Sequence, residues 1–215
     1  KRRRSTAKSR RGAHGRRSTR GGNSLIWVFL AVLVVLFAVL AFVSRSTGPG
    51  AEITDADVSG EALQPFSTGL DSAVGSQAPT MSGTSISGDE ITIEPGDGTP
   101  KAIVFLAHWC PHCQREVPVV TQWVEDGNVP EGVEVVSVAT GIDRNRPNFP
   151  PHGWLERENW PVPTLVDGND AAGRAYGLTT YPYWVLVDGD GTVVQRFSGE
   201  TTPEQLNERI GALAE

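Results

Sequence analysis

The sequence predicts an α/β domain, a central mixed sheet flanked by helices, carried behind one transmembrane helix. Three observations lead there. Beyond residue 76, short apolar runs alternate with segments of helical periodicity, and a hairpin and a helix close the chain. The only two cysteines in 215 residues stand in Trp109-Cys110-Pro111-His112-Cys113, between an apolar run and a helical segment. Leu25 to Val43 is a run of 19 residues without a charge.

The elements follow in order. Ile86 to Ile93 reads as a short hairpin turning at Ser87-Gly88-Asp89, with Ile91 and Ile93 alternating. Ala102-Ile103-Val104-Phe105-Leu106-Ala107 is continuously apolar, as a buried strand requires. Cys110 to about Asp126 reads as a helix, with Val117, Val120 and Val124 on one face and Pro118 as a kink. Val133 to Ala139 is a second buried strand, and Gly141 to Pro151 a polar loop. His152 to Trp160 reads as a short helix, Thr164 to Val166 as a strand, and Asp170 to Tyr176 as a helix capped by an acid. Trp184 to Val187 and Val193 to Phe197 flank Asp188-Gly189-Asp190-Gly191 as a hairpin. Pro203 to Leu213 closes the domain, with Thr202 as cap and Pro203 at the first helical position.

The C-x-x-C pair carries the chemistry. At a helix start this spacing brings two sulfurs close enough to cycle between dithiol and disulfide. The backbone N–H groups and the helix dipole favour a thiolate on the first sulfur. Cys110 is therefore the expected nucleophile and Cys113 the buried resolving thiol. His112, between them, offers a dipole or a positive charge to the thiolate. A purely structural disulfide would close too short a loop to constrain the unfolded chain much. A metal site would need His108, His112 or His152 as further ligands, since no second cysteine pair exists. The alternative to catalysis is a non-catalytic carrier that passes a soft ion such as Cu(I) through Cys110 and Cys113.

The surrounding residues narrow the family. Glu116 and Pro118 extend the motif to C-x-x-C-x-x-E-x-P, and Tyr181-Pro182-Tyr183 precedes the late strand. From Gln77 to Glu215 the chain resembles the membrane-anchored thioredoxin-like thiol–disulfide oxidoreductases of the TlpA/ResA type. The resemblance implies a thioredoxin-like fold. It also implies a redox-active Cys110–Cys113 disulfide with no other cofactor, and a cis Pro182 facing the two sulfurs. It implies protein thiols and disulfides as partners, with a membrane or extracytoplasmic redox partner. The family's uses include cytochrome c maturation.

Two departures bear on direction. Thioredoxin's buried acid, six residues before the first Cys, is replaced by Val104, while Glu116 matches the TlpA/ResA carboxylate. Pro111-His112 is the dipeptide of oxidising DsbA-type enzymes. If buried, Glu116 would trade a proton with Cys113 during resolution; if exposed, it is an ordinary helix acid. Trp109 is expected to pack beside the sulfurs and limit water. Tyr181 is expected to offer its backbone to a bound substrate strand. A peroxidase is disfavoured, because Ala107 stands where the related peroxiredoxins need Thr or Ser.

Charge and hydropathy set the expected topology. The uncharged run spans about 28 Å at ~1.5 Å per residue, close to a bilayer core. Lys1 to Ser24 contains ten Lys/Arg and no acid, which puts that segment in the cytoplasm and the redox domain outside the cell membrane. Ser44 to Ser76 reads as a flexible tether. The formal net charge of −6 hides an asymmetry: after Val43 there are nine Lys/Arg against all 25 Asp/Glu, a difference of −16. So acidic a domain argues against a nucleic-acid partner and favours neutral or basic substrates.

Overall fold

The structure, a computed structural model, describes residues 28, 30–33 and 53–214. The basic tail expected at 1–24 and nearly all of the span expected at 25–43 lie outside the described residues; residues 28 and 30–33 are helical. Among the described residues no helix is long and apolar enough to cross a membrane. Residues 1–47 form one unit and residues 48–215 a second.

That unit is built on a five-stranded sheet in the order β6-β5-β4-β7-β8. β4 (Lys101–Leu106), β5 (Glu134–Ala139) and β6 (Thr164–Val166) run parallel, while β7 (Tyr183–Val187) pairs antiparallel with β4 and β8 (Val193–Ser198) antiparallel with β7. The mixed sheet expected from the sequence is therefore present, with strand bounds shifted by one residue at most. The period of two sorts the central strand: Ala102, Val104 and Leu106 face one layer, and Ile103 and Phe105 the other.

On the first layer lie α1 (Pro111–Glu125), α2 (Pro151–Arg157) and α4 (Pro203–Gly211). They contribute Cys113, Val117, Val120, Trp123, Trp154, Leu206 and Ile210 to one core. α4 starts as expected: Thr202 and Gln205 form a reciprocal capping box, with Pro203 at the first position. On the opposite layer, α3 (Ala171–Ala175) packs together with a small antiparallel sheet. This sheet consists of β1 (Asp57–Ser59), β2 (Thr80–Thr84) and β3 (Glu90–Ile93).

Three differences from the sequence reading have physical reasons. The hairpin turn at Ser87-Gly88-Asp89 is present, but its first arm is Thr80–Thr84 rather than a strand from Ile86; Met81 there is the buried anchor, hidden among Ser, Gly and Thr. Asp170 stands at the N-cap of α3 in a left-handed conformation without capping it. Its carboxylate accepts from Gly141 N–H at 2.9 Å, while the buried Asp167 takes the Ala172 and Gly173 N–H groups. The tether expected over 44–76 is folded from residue 53 onward. Ala56, Leu63 and Ala73 are buried, and Asp71 grips the fully buried guanidinium of Arg196. Arg196 also donates to the Gln64 and Tyr176 carbonyls at 2.9 and 3.2 Å. A segment poor in large apolar residues is thus held by polar contacts that composition does not reveal.

Candidate active site

The chain leaves the C-terminal end of the central strand β4 at Leu106 and enters α1 at Pro111. There Cys110 occupies the N-cap of α1 with an extended backbone and Pro111 follows at the first helical position. The Cys110 N–H donates to Ala107 C=O at 3.0 Å, which turns the chain out of the strand. Cys110 thus stands at the N-terminus of a 15-residue helix, where its side chain makes no capping hydrogen bond. Both cysteines are free and buried. Cys110 keeps 6% of its surface and Cys113 none. Burial pushes the Cys113 thiol far up, with Cys110 and Glu116 adding to the effect. Both sulfurs are buried, and Cys113 is the more enclosed of the two.

Tyr181 and Pro182 close the other side. The Tyr181–Pro182 bond is cis, as the resemblance implied, and so is Phe149–Pro150, which no sequence feature announced. The Cys110 thiol points at the Tyr181 carbonyl, with Sγ and O 3.9 Å apart. Pro182 is buried, and its carbonyl accepts from Gly199 N–H. Trp109 packs edge-on to the Tyr181 ring at 5.8 Å and donates its indole N–H to Gly141 C=O at 2.7 Å. Gly141 has φ 61°, and a Cβ there would stand 2.5 Å from the Tyr181 hydroxyl. Only glycine lets that wall close. Cys110, Cys113, Trp109, Tyr181 and Pro182 thus meet at one place.

Glu116 is the buried acid. It is 1% exposed and accepts three hydrogen bonds: from Thr201 N–H and Thr201 Oγ1, both at 2.7 Å, and from the Trp184 indole at 3.1 Å. These donors pull its carboxyl down, but burial outweighs them and raises it above the ordinary value. The open question of its exposure is answered by its neighbours, Thr201 on the β8–α4 loop and Trp184 on β7. Neither was recognisable as a site residue. The pairing spans 85 residues for Thr201 and 68 for Trp184.

His112 leads away from the sulfurs at its exposed edge. Its side chain is 59% exposed, and Nδ1 lies 2.6 Å from Glu200 Oε1. Arg115, one turn on, reaches the same carboxylate through Nε and Nη2 at 2.7–3.1 Å. Arg115 and His112 together hold Glu200 down at about 2. Glu200 and Arg115 were missed because an exposed acid and an exposed arginine carry no signal of their own.

The remaining imidazole near the motif is committed. His108 is buried; its Nδ1–H donates to Pro147 C=O at 2.6 Å, and Nε2 accepts from Asp143 N–H at 3.2 Å. Burial lowers its pKa, in keeping with a neutral ring. Neither nitrogen is free for a metal, and among the described residues no cluster of three or more metal-ligating side chains occurs.

Comparison with known proteins agrees with this geometry. Residues 73–211 match the Redoxin family. The thiol–disulfide oxidoreductase ResA of Bacillus thuringiensis subsp. konkukian is 26% identical over 137 residues, 64% of this chain and 76% of that protein. The methylamine utilization protein MauD of Methylobacillus flagellatus is 26% identical over 178 residues, 80% of this chain and 75% of that protein. Among solved structures, StoA from Bacillus subtilis aligns with a TM-score of 0.53 at 24% identity, over 63% of this chain and 97% of that one. The MTB DsbF structure aligns with a TM-score of 0.50 at 28% identity, over 61% and 93%. The chain belongs to the Redoxin family, as a thioredoxin-like thiol–disulfide oxidoreductase of the TlpA/ResA type.

Proposed function

We propose that this chain is a membrane-anchored, extracytoplasmic enzyme that exchanges disulfides with partner proteins through Cys110 and Cys113. The observation that carries the reading is the unequal burial of the two sulfurs at one helix start, the outer one facing the Tyr181 carbonyl. The anchor and the orientation rest on the uncharged run at 25–43 and the ten basic residues before it.

In the reducing direction, the Cys110 thiolate attacks one sulfur of a substrate disulfide. A mixed disulfide forms and one substrate thiolate leaves. Cys113, deprotonated with the help of Glu116, then attacks Cys110 Sγ. The Cys110–Cys113 bond forms, and the second substrate sulfur leaves as a thiolate. Two electrons pass from the protein dithiol to the substrate disulfide, and the leaving thiolates take up the protons. In the oxidising direction every step reverses. Tyr181 C=O, beside the reacting sulfur, offers an acceptor to an extended substrate backbone.

The test is Cys113→Ser in the full chain, expressed in its own membrane. Resolution is then blocked, and non-reducing electrophoresis should show Cys110 trapped in mixed disulfides with proteins. Absence of any trapped species, with Cys110 still alkylatable, would refute protein disulfide exchange. For the topology, a protease added to wall-stripped cells should remove the cysteine domain and leave a small basic stub. A domain protected until the membrane is opened would refute that orientation.

A further inference from the structure

We propose that Arg146 and Arg144, laid over aromatic rings beside Cys110, form a docking rim for a polypeptide with acidic side chains next to its reactive cysteine. The proposal rests on the disulfide-exchange reading above and adds the chemical class of the substrate.

The rim is built by the loop at 141–150. The Arg146 guanidinium lies 4.3 Å from the centre of the Trp109 ring, and Trp109 is the residue before the nucleophile. The Arg144 guanidinium lies 5.8 Å from the Phe149 ring, and Phe149 in turn stands edge-on to His108 at 6.0 Å. Both arginines are exposed while Trp109, Phe149 and Tyr181 are half-buried. Among the described residues neither guanidinium is in an ion pair. A stacked guanidinium is pre-oriented and keeps its N–H edge for a carboxylate. Arg beside Trp and Tyr is also the composition of interface hot spots.

The charge here runs against the rest of the domain. The loop carries two arginines and one acid, Asp143, in a region otherwise dominated by carboxylates. Asp143 accepts from Asn145 N–H at 2.9 Å, and its own N–H is bound to His108. Asp170 is turned to Gly141 and Thr140, and Glu200 is occupied by Arg115 and His112. The acids bordering the nucleophile are thus engaged, whereas the arginines present free edges. The domain's net charge argues for basic partners at long range; the rim selects acidic ones at contact.

The experiment uses the full chain in detergent and three disulfide-bonded peptides identical except for two flanking residues, Asp, Ser or Lys. The neutral reagent bis(2-hydroxyethyl) disulfide supplies the reference exchange rate. At about 0.1 M salt the Debye length is about 10 Å, so distant acids are screened and adjacent contacts persist. There the Asp peptide should react ~10-fold faster than the Lys peptide, within the range of local steering effects. The preference should vanish near 1 M salt, where the screening length is about 3 Å. Arg144→Gln with Arg146→Gln should bring the Asp-to-Lys ratio toward one, and Arg146→Lys should restore only part of it. Because the salt series uses the unaltered protein, a folding defect cannot produce it. Equal rates for the three peptides, a preference for Lys, or a salt-independent ratio would overturn the proposal. Loss of exchange even with the neutral reagent would instead refute the redox reading beneath it.

Discussion

His112 Nδ1 lies 2.6 Å from Glu200 Oε1, so the imidazole inside the C-x-x-C dipeptide is anchored by a carboxylate that Arg115 also grips. A loop 88 residues away thereby orients a residue of the motif, and the residue after Glu200, Thr201, holds Glu116. The β8–α4 loop touches both ends of the redox chemistry.

Alkylation of Cys110 by iodoacetamide at neutral pH reads the His112 end of that loop. His112→Ala should slow it about fivefold, the scale of a fixed charge or dipole at a helix start. Glu200→Gln should slow it about twofold by freeing the ring. The double variant should match His112→Ala alone, because Glu200 acts through the imidazole. Additive losses would mean that Glu200 has its own route to the thiolate.

The two thiols should separate cleanly in the same assay. Cys110 keeps a small accessible fraction and Cys113 is wholly enclosed, its thiol pushed up by burial. Native dithiol protein should lose Cys110 at least about tenfold faster than Cys113. Equal rates, or faster loss of Cys113, would reverse their roles.

Glu116 links the site to pH in two ways. Its folded pKa is raised above the ordinary 4.5, so the stability it contributes is complete below that value and is lost as pH rises through the raised one. Denaturant titrations between about pH 4 and 7 should show Glu116→Gln gaining on the unaltered protein as pH rises. In stopped-flow exchange the same variant should slow breakdown of the mixed disulfide at least about tenfold, while the first attack by Cys110 is little changed. A slowed first attack with normal resolution would assign the acid to the wrong sulfur.

Asp71 tests the folded N-terminal segment. Asp71→Asn removes the carboxylate from a buried guanidinium. It should cost roughly 3 kcal/mol, the low end for an uncompensated buried charge, because Asp71 keeps some contact with water. A change below about 0.5 kcal/mol, the level of ordinary surface substitutions, would mean that the segment is not held by this pair.

Much of this was legible because the redox motif and its strand–helix frame are local. Apolar runs and helical spacing placed β4, β5, β6, β7, β8 and α1 nearly to the residue, and Thr202-Pro203 announced α4. The unread parts are those made by distance in sequence. Met81 anchors β2 from within a polar stretch, and Asp71 is held by Arg196 from 125 residues away. Thr201 and Trp184 come to Glu116 only when the sheet closes. Arg146 becomes distinctive only where it meets Trp109. Periodicity sees none of these pairings.

Disulfide exchange through Cys110 and Cys113 is measured most directly by a redox titration of the full chain in glutathione buffers, with the free thiols counted by mass after alkylation. One reversible two-electron transition between dithiol and Cys110–Cys113 disulfide is expected. Its potential should lie between the thioredoxin and DsbA values of about −270 and −120 mV. Replacing either cysteine should abolish the transition. Two thiols that stay reduced across the whole range, or that titrate independently of each other, would contradict it.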